Sequence, residues 1–597
     1  MLETTGHGGA LPEARAVAQR GERCVWYPRA GVGAGGALVE RVLSARGLRP
    51  GPERDAFLNP VLVALHDPSL IPDLDRAAER LLRAARAGER IVIYGDYDVD
   101  GITSIAILFH TLRALVPGCE PAWYVPHRLE EGYGLNSEAI AQLCREGAGV
   151  IVSVDCGVTA REPALVAKRA GVDLIITDHH NPPASMEDLP EAFAVVHPRR
   201  PDSAYPFGEL CGAGVAYKLA WRMCTLESGG RKVTDSTRAL LIDLLGPAAM
   251  GVIADVVPLL GENRVIARQG LKRIRGSSIE GLGALVRACG LDSERVQADH
   301  VGFSLAPRLN ACGRLGHAAE AVELLTTATG ERAVRIATGL SRLNDERRRE
   351  EQRIAEQALA LAAREGMTGP QRRAVVLCDP AWHAGIVGIV CSRLVERLHR
   401  PAILMSVTDG VCHGSGRSVQ GFNLHGALSE CADLLESFGG HDMAAGLRVR
   451  QDRLGAFVER FTGIANERIG EGDLVGRLTY DCDADLAELS KPAVEQLDAL
   501  GPFGRANEPV RVRLRGLRLA RGGETFGDMN RHLRLRVTGA GAAREVTLIA
   551  WKWGEHAAKF QRGGSLDAVV APKVSSWSGA VEGEVLDVAP GAGSGLA

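Results

Sequence analysis

The sequence contains no long apolar run, no paired cysteine motif and no strong excess of charge of either sign. No apolar stretch approaches about 18 residues, and the first residues, MLETTGHGGALPEAR, carry neither a basic start nor an apolar core. We therefore expect neither a membrane span nor a signal peptide, and a cytoplasmic protein. The 13 cysteines never form a Cys-x-x-Cys pair, which argues against a zinc ribbon and against a disulfide framework.

The charge balance is nearly neutral, with a formal net charge of −3 over 597 residues. This balance does not indicate a polyanion ligand, so any nucleic-acid site must be a local groove. Hydrophobic residues make up 46% of the chain and charged residues 24%, as in globular proteins. The length suffices for about three or four domains.

Residues 90–200 alternate short β-rich runs with helical segments. The β-rich runs are RIVIYG, GVIVSVD, DLIITD and FAVVHP. This alternation is typical of an α/β fold with a parallel sheet, whose ligands bind at the carboxyl ends of the strands. We predict a parallel-sheet domain over residues 56–330, preceded by an N-terminal extension at residues 1–55 that offers no interpretable pattern.

The segment 331–366 contains no proline and has a strongly charged middle, which predicts a long connecting helix. At about 1.5 Å per residue it would span roughly 50 Å, and we expect its charges on a solvated face. Residues 367–465 then predict a second, smaller α/β domain. Five β-rich segments within residues 466–590 predict a β-barrel like the oligonucleotide-binding (OB) fold. The tail, residues 591–597, is expected to be disordered.

The stretch YGDYDVDGITS places Asp96, Asp98 and Asp100 at alternate positions after the apolar run RIVIYG. With Gly101, these aspartates match the first half of a calcium-binding EF-hand loop. The twelfth position of that loop must be an acid, whereas here it is Ile107, and the preceding run predicts a strand rather than a helix. An EF-hand is therefore disfavoured. The other alternative is an acidic turn without metal.

Further polar side chains follow what we interpret as three other strand ends. They are Asp155 in VIVSVDCG, Asp178, His179 and His180 in LIITDHHNPP, and Asp255 in GVIADVVP. Each alone would more often be a helix cap or a core histidine, but together they gather carboxylates and imidazoles at one edge of one sheet. Without a cation, each carboxylate pair about 4 Å apart would cost roughly 4 kcal/mol at an effective dielectric near 20. This ligand chemistry favours manganese or magnesium over zinc, and so many acids predict two ions.

These motifs in this order resemble a known superfamily. DYDVDG, VDCG, TDHH and IADV are similar to motifs I to IV of the DHH phosphoesterases. Longer segments, among them FSLAPRLNACGRLG, WHAGIVGIV, GSGRSVQGFNL and FGGHDMAAG, resemble the RecJ family of bacterial single-stranded-DNA-specific exonucleases within that superfamily. The resemblance covers about residues 55–590 and is less tight in the C-terminal third.

The resemblance implies an activity, a cofactor and a ligand set. Members degrade single-stranded DNA from the 5′ end and release mononucleotides by two-metal hydrolysis, in DNA recombination and repair, with two Mn²⁺ or Mg²⁺ ions. By motif position, the implied metal ligands are Asp98, Asp100, Asp155, His179 and Asp255. The carboxylate of Asp155 would bridge the two ions. Asp96 and His180 are expected at the metal or the phosphate in supporting roles.

The segment GSGRS suits the other end of a nucleotide. It offers backbone N–H groups in a glycine-bordered turn, the hydroxyl of Ser415 and the fork-shaped guanidinium of Arg417, which can contact phosphate in a bidentate manner. The alternative is an ordinary glycine-rich turn. The resemblance implies that Ser415 and Arg417, helped by Arg128, hold the 5′-terminal phosphate and so set the polarity.

Other candidate substrate contacts are less specific. In PRLNACGR, Arg308, Asn310 and Arg314 could bind substrate, cap helices or tie down the connecting helix. His441 follows two glycines and is expected to contact the scissile phosphate or a nearby base, with a core histidine as the alternative.

Single-strand specificity is expected from a cleft between the two α/β domains and from the barrel, where Trp551 and Trp553 could either stack on bases or be buried. The expected partner is single-stranded DNA with a 5′ end. A single-strand binding protein and a helicase are candidate protein partners, no membrane association is expected, and the protein is expected to be a monomer.

Two other functions compete: a DHH phosphoesterase for short oligonucleotides, cyclic dinucleotides or pyrophosphate, and a non-catalytic DNA-binding scaffold. The long connector and the barrel argue against the first, and the complete ligand set argues against the second.

Overall fold

The computed structural model describes residues 19–30, 35–127, 131–230, 232–315, 318–539, 544–575 and 577–591. Along the chain they form an N-terminal segment, a large α/β unit, a long helix, a second α/β unit and a barrel. The N-terminal segment contains two strands and two helices, β1 (Gln19–Arg20), β2 (Cys24–Pro28), α1 (Leu38–Ala45) and α2 (Pro52–Leu58).

The large α/β unit is built on a five-stranded parallel sheet with the order β4-β3-β5-β6-β7. Its strands are β3 (Ile91–Gly95), β4 (Ala122–Tyr124), β5 (Val150–Val154), β6 (Asp173–Thr177) and β7 (Ala194–Val196). The helices among them are α3 (Leu74–Ala87), α4 (Val99–Leu115), α5 (Ser137–Arg145) and α6 (Arg161–Arg169). Successive strand residues face opposite sides, so Ile93 belongs to the core beneath α3 and α4, and Tyr94 to the core beneath α5 and α6.

The chain then continues through a helical layer that packs on the first of these cores. Its helices are α7 (Gly212–Glu227), α8 (Asp235–Ala254), α9 (Gly261–Gly270), α10 (Glu280–Ala288), α11 (Ala298–His300), α12 (Ala306–Leu315) and α13 (Ala319–Thr326). Among the described residues, α8 is the one helix long and apolar enough to cross a membrane by length and composition. Its apolar residues are packed within the large core beside α4 and α7, as in a core helix.

The predicted connecting helix is α14 (Gly330–Arg364), 35 residues long. Ile336 and Leu340 on its first half belong to the core of the large α/β unit, whereas Ile354 and Ala358 on its second half belong to a core of the second unit. One charge departs from the expected solvated face, because Glu351 is buried and pairs with Arg347 at 2.8 Å and Arg393 at 2.5 Å. The helix thus packs into the cores of both units.

The second α/β unit has a mixed sheet of order β11-β12-β10-β9-β8, in which only β8 and β9 are parallel. Its strands are β8 (Val375–Cys378), β9 (Ala402–Thr408), β10 (Val411–Arg417), β11 (Ser437–Gly440) and β12 (Ala444–Arg450). Its helices are α15 (Ala384–Leu398), α16 (Leu424–Ser429) and α17 (Leu454–Arg468).

The C-terminal unit contains a closed barrel. Its elements are β13 (Gly476–Tyr480), β14 (Cys482–Ala484), α18 (Lys491–Asp498), β15 (Val512–Leu519), β16 (Glu524–Phe526), β17 (His532–Thr538), β18 (Val546–Ala550), β19 (Ser565–Val574) and β20 (Val581–Pro590). The ring runs β15-β19-β20-β18-β17 and closes where β17 pairs with β15. These are the five segments predicted from the sequence, and the predicted fold class is confirmed. The expected disordered tail lies outside the described residues except for Gly591.

The N-terminal segment, set apart in the sequence as an extension, is packed into this C-terminal unit. Strand β2 pairs in parallel with β13, and the fully buried Trp26 packs against Tyr480 and Val569. The carboxylate of Asp587 in β20 accepts hydrogen bonds from Trp26 Nε1 at 2.8 Å and from the amide of Cys24 at 2.9 Å. The two ends of the described chain therefore form one folding unit.

This anchoring predicts a stability effect. Asp587→Ala would leave the buried indole N–H of Trp26 and neighbouring amides without an acceptor, so we expect the free energy of unfolding to fall by about 1–3 kcal/mol. The measurement is denaturant unfolding of the full chain. The control is Glu584→Ala on the same strand, where a 3.5 Å surface pair with Lys573 is lost and the change should stay within about 0.5 kcal/mol. Equal effects of the two substitutions would contradict the anchoring role.

Candidate metal centre

Three aspartates follow three neighbouring parallel strands. Asp96 follows β3, Asp155 follows β5 and Asp178 follows β6. The strand ends are in register, since Gly95 pairs with Val154, which pairs with Thr177. The carboxyl ends of parallel strands meet at one edge, so the three acids lie side by side, as the sequence predicted.

Two further aspartates sit where helices begin. Asp98 is the N-cap of α4, and its carboxylate accepts from the amides of Asp100 at 2.9 Å and Gly101 at 3.2 Å. The carboxylate of Asp100 is buried and accepts from the amides of Gly212 at 2.6 Å and Ala213 at 2.9 Å, at the start of α7. Helix N-termini supply unpaired N–H groups and a positive dipole end, which favour these anions.

The two histidines of the Asp-His-His segment make different contacts. His179 is directed at the acidic side chains, and His180 is held by Asp178. His179 points Nε2 at Oδ1 of Asp155, 3.0 Å away, with Asp255 at 3.7 Å and Asp100 at 3.8 Å. His180 instead holds its Nδ1 2.8 Å from Asp178. The carboxylate of Asp178 also accepts from the amides of Val158, His179 and His180. Asp178 thus fixes the Asp-His-His turn.

The interpretation of Asp255 as a strand-end residue is wrong. It is the C-cap of helix α8, whose last turn contains the apolar run GVIA that suggested a strand. A short apolar run has no periodicity that separates a buried strand from a buried helix. The residue nevertheless reaches the same edge, and its side chain is 24% exposed, against 3% or less for Asp100 and Asp155.

The side chains form three overlapping groups whose candidate ligand atoms lie within 4.8 Å of one another. The groups are Asp96, Asp98 and Asp155; Asp100, His179 and Asp255; and Asp155, His179 and His180. Asp155 lies in two groups, between the purely acidic set and the set that includes histidine. Asp155 Oδ1 and His179 Nε2 are both buried, and neither makes a hydrogen bond of acceptable geometry within the described residues. Buried polar atoms that converge in this way fit a divalent cation.

The pKa shifts at the metal-free site also indicate a binding site for a divalent cation. Burial, followed by the charges of Asp100 and Asp98, raises the pKa of Asp155 well above its usual value and that of Asp255 to about 8. Burial lowers the pKa of His179, which favours the neutral imidazole that binds metals. Against the effect of burial, the bond to Asp178 raises the pKa of His180 to about 9. Without cations, the carboxylates compete for protons.

The candidate phosphate residues Ser415 and Arg417 lie on strand β10, so the prediction of a glycine-bordered turn is wrong. Ser415 pairs with Leu404 on β9 and with Gly446 on β12, and the ladder uses the backbone N–H groups that a turn would have left exposed. Both side chains lie on the same face of the strand. Arg417 Nη1 lies 3.3 Å from the Ser415 hydroxyl, and a Cβ at Gly388 on α15 would be 2.8 Å from that hydroxyl.

The residues of PRLNACGR lie on α12, between the two α/β units. Arg308 donates to Ser341 of α14 at 3.0 Å, which is the connector contact considered from the sequence, and Asn310 is half-buried. Arg314 Nη1 donates to the carbonyl of Gly385, at the start of α15, at 3.1 Å. A Cβ at Gly313 would lie 3.0 Å from the carbonyl oxygen of Tyr97, so the end of α12 touches both the acidic loop and the second unit.

Two other predicted contacts have different outcomes. His441 is exposed in the turn between β11 and β12, where its amide donates to Ala444, so it is not a core histidine. Arg128 lies outside the described residues.

Sequence reasoning missed several residues around the site. The hydroxyl of Tyr133 lies 3.0 Å from a ring nitrogen of His180 and 3.3 Å from the carbonyl of Asp155. Arg199 donates to the carbonyl of His179 at 2.7 Å. Tyr133 lies in the segment EGYGLN, where its two flanking glycines offered a signal of close backbone approach; Arg199 lies shortly after strand β7 and offered none.

Comparison with known proteins agrees with this geometry. Residues 90–246 match the DHH family, N-terminal domain, residues 371–467 the DHHA1 domain, and residues 480–585 the RecJ OB domain. The chain is 38% identical to the single-stranded-DNA-specific exonuclease RecJ of Dickeya dadantii, over 86% of this chain and 89% of that protein. The chain belongs to the RecJ family. It is also 37% identical to RecJ of Bacillus subtilis over 80% of its length, though the match spans only 58% of that protein.

A RecJ crystal structure shares the architecture. RecJ in complex with Mn²⁺ from Thermus thermophilus aligns with a TM-score of 0.76 at 31% identity, over 92% of this chain and 75% of that one. The resemblance predicted from the motifs is thus confirmed, and the acidic edge fits the cation of this RecJ complex.

The raised pKa of Asp255 predicts proton-linked metal binding. A carboxyl with a pKa of about 8 is largely protonated at neutral pH without metal, so Mn²⁺ binding should release protons, and the affinity should rise as pH increases through about 8. In the presence of chelator, Asp255 holds a proton in the native state between pH 3.8, its usual pKa, and about pH 8, whereas it is ionised in the unfolded state. The free energy of unfolding should therefore fall as pH rises through that window. Calorimetry in buffers of different ionisation enthalpy measures the release, which Asp255→Asn should reduce. Affinity independent of pH would contradict the coupling.

Proposed function

We propose that this chain is a metal-dependent exonuclease that degrades single-stranded DNA from its 5′ end and releases 5′-mononucleotides. The observation that carries the proposal is the convergence of five aspartates and a histidine at one sheet edge, in a member of the RecJ family. Mn²⁺ or Mg²⁺ is the proposed cofactor, with two ions bound.

The proposed metal ligands fall into two of the three groups described above. One ion would take Asp96, Asp98 and Asp155, and the other Asp100, His179 and Asp255, with Asp155 shared through its contact with His179. When bound, such a pair of ions supplies an activated water and stabilises the attacking and leaving oxygens of a phosphodiester.

The remaining residues of the centre orient the Asp-His-His turn and supply a hydrogen-bond donor to the phosphate. Asp178 fixes the backbone of the Asp-His-His turn and keeps His180 directed at the site. With its pKa raised to about 9, His180 can hold a proton at Nε2 and donate a hydrogen bond to a phosphate oxygen at neutral pH. We propose His180 as a catalytic residue beside the metal ligands.

Polarity would come from the second α/β unit. Ser415 and Arg417 form a paired hydroxyl and guanidinium on the face of β10 that meets α15, a suitable site for a terminal phosphate. The end of α12 contacts both this unit and the acidic loop, which fixes the separation between phosphate site and metal centre. Asn310, Arg314 and His441 are proposed as further substrate contacts, as is Arg128 from its sequence motif alone, whereas Arg308 is engaged with Ser341 and Ser304.

The barrel offers a surface for bases. Trp551 is 42% exposed, with its ring 4.8 Å from that of His532 and 5.8 Å from that of Phe526, whereas Trp553 is buried at 2%. Arg534 lies 5.0 Å from the ring of Phe526. We propose that Trp551 stacks on the single strand and that Trp553 belongs to the core.

The biological setting follows from the family. We propose a role in DNA recombination and repair in the cytoplasm, acting as a monomer. A single-strand binding protein and a helicase are candidate partners.

Digestion of oligonucleotides tests the activity. We expect Mn²⁺-dependent shortening of a 5′-phosphorylated, 3′-labelled single strand, with no loss of the matching duplex and none in chelator. Asp155→Ala should abolish it, lowering the rate by at least about 10³-fold, while Asp188→Ala, whose exposed side chain lies on the same unit, should not. Intact DNA with retained binding would indicate a scaffold, and cleavage of only very short oligonucleotides would indicate a smaller phosphoesterase activity.

A second experiment tests the phosphate site. Arg417→Ala should remove the preference for 5′-phosphorylated over 5′-hydroxyl strands, with a loss of about 10- to 100-fold on the phosphorylated strand. Arg417→Lys should retain part of it, because lysine keeps the charge without the fork. Arg450→Ala, an exposed arginine of the same sheet, is the control. An unchanged preference in Arg417→Ala would remove the residue from the site.

A further inference from the structure

The side chains of the metal centre differ in exposure. The side chains of Asp100 and Asp155 are 1% and 3% exposed, whereas those of Asp255 and His180 are 24% and 40% exposed. A phosphodiester can therefore reach the centre on the side of Asp255 and His180. A positively charged side chain beside Asp255 would therefore contact the DNA strand as it enters the metal centre.

A loop of the C-terminal unit reaches this opening. Leu259, four residues after Asp255, donates its amide to the carbonyl of Arg505 at 2.9 Å. The residue after Asp255, Val256, has φ 58°, a left-handed conformation that is costly for a β-branched residue, and its carbonyl faces Arg505. The loop thus lies against a strained turn that begins at a metal ligand.

The base of this loop is held firmly. Arg264, buried in α9, donates to the carbonyls of Leu500 at 2.8 Å and Gly501 at 3.0 Å. The side-chain amide of Asn507 donates to Pro502 at 2.8 Å, which closes the loop on itself. The backbone position of Arg505 is therefore set by packing between units.

The side chain of Arg505 is exposed. Within the part of the chain that the structure describes, its guanidinium makes one long hydrogen bond, 3.4 Å from Nη1 to the carbonyl of Val256. A guanidinium carries five N–H donors, so most of them are left to bind a substrate. It is a positive group on a fixed base, at the entrance to an acidic centre that must accept an anion.

We infer that Arg505 contacts the phosphodiester held at the metal centre, so that the C-terminal unit supplies a substrate-binding residue to the active site as well as a surface for the strand. This inference rests on the proposed function. The contact would add positive charge on the side of the phosphate next to Asp255. It would also couple correct docking of the C-terminal unit to cleavage.

The test compares Arg505→Ala and Arg505→Lys with Arg169→Ala in the full-length protein. Arg169, exposed in the last turn of α6, lies at the opposite edge of the parallel sheet and matches the lost charge. We expect kcat/KM on a 5′-phosphorylated single strand to fall about 10- to 100-fold in Arg505→Ala, with partial rescue by lysine. The slope of log kcat/KM against log salt should become shallower by about 0.7, as for one lost phosphate contact.

Two results would overturn the contact. One is identical behaviour of Arg505→Ala and Arg169→Ala. The other is weakened Mn²⁺ binding by calorimetry with an unchanged salt slope, which would mean that Arg505 only holds the turn at Asp255. If the unaltered protein fails to degrade DNA, the proposed function fails instead, and the salt dependence of oligonucleotide binding, which needs no cleavage, decides the contact.

Discussion

Repulsion among carboxylates at one sheet edge is the constraint on which the structure depends. Asp100 and Asp155 are buried among like charges, which water cannot screen. Backbone N–H groups partly offset this repulsion. The first turn of α4 donates hydrogen bonds to Asp98, the start of α7 donates to Asp100, and successive amides donate to Asp178. The remaining repulsion favours the binding of divalent cations at this edge.

The candidate site is assembled from units that are far apart in sequence but joined by rigid contacts. Helix α14 enters the cores of both α/β units, and the end of α12 touches the loop of Tyr97 and the first turn of α15. Arg264 ties the large unit to the barrel loop and also lies 3.7 Å from the ring of Phe57. Since these contacts are side-chain packing between helices and loops, the spacing between the proposed phosphate site and the acidic edge does not depend on a linker alone.

The sequence predicted those elements whose patterns are local. Alternating apolar runs located β3, β5 and β6 with their terminal acids, and five β-rich segments located the barrel ring. It failed where tertiary contacts decide: Asp255 ends a buried helix instead of a strand, and the glycines of GSGRS lie in a central strand, where Gly414 packs against Met405 and Leu447. Residues 19–58 carry little pattern of their own because their partners lie at the far end of the chain.

That last pairing has a consequence for biosynthesis. Trp26 and Asp587 are separated by 561 positions, yet they are hydrogen-bonded in one buried cluster. During translation Trp26 must remain without its partner until β20 is made, while the large α/β unit between them can already fold. The chain would therefore acquire its acidic edge before its barrel, since the barrel ring needs β20, and only then could Asp587 accept the hydrogen bond of Trp26.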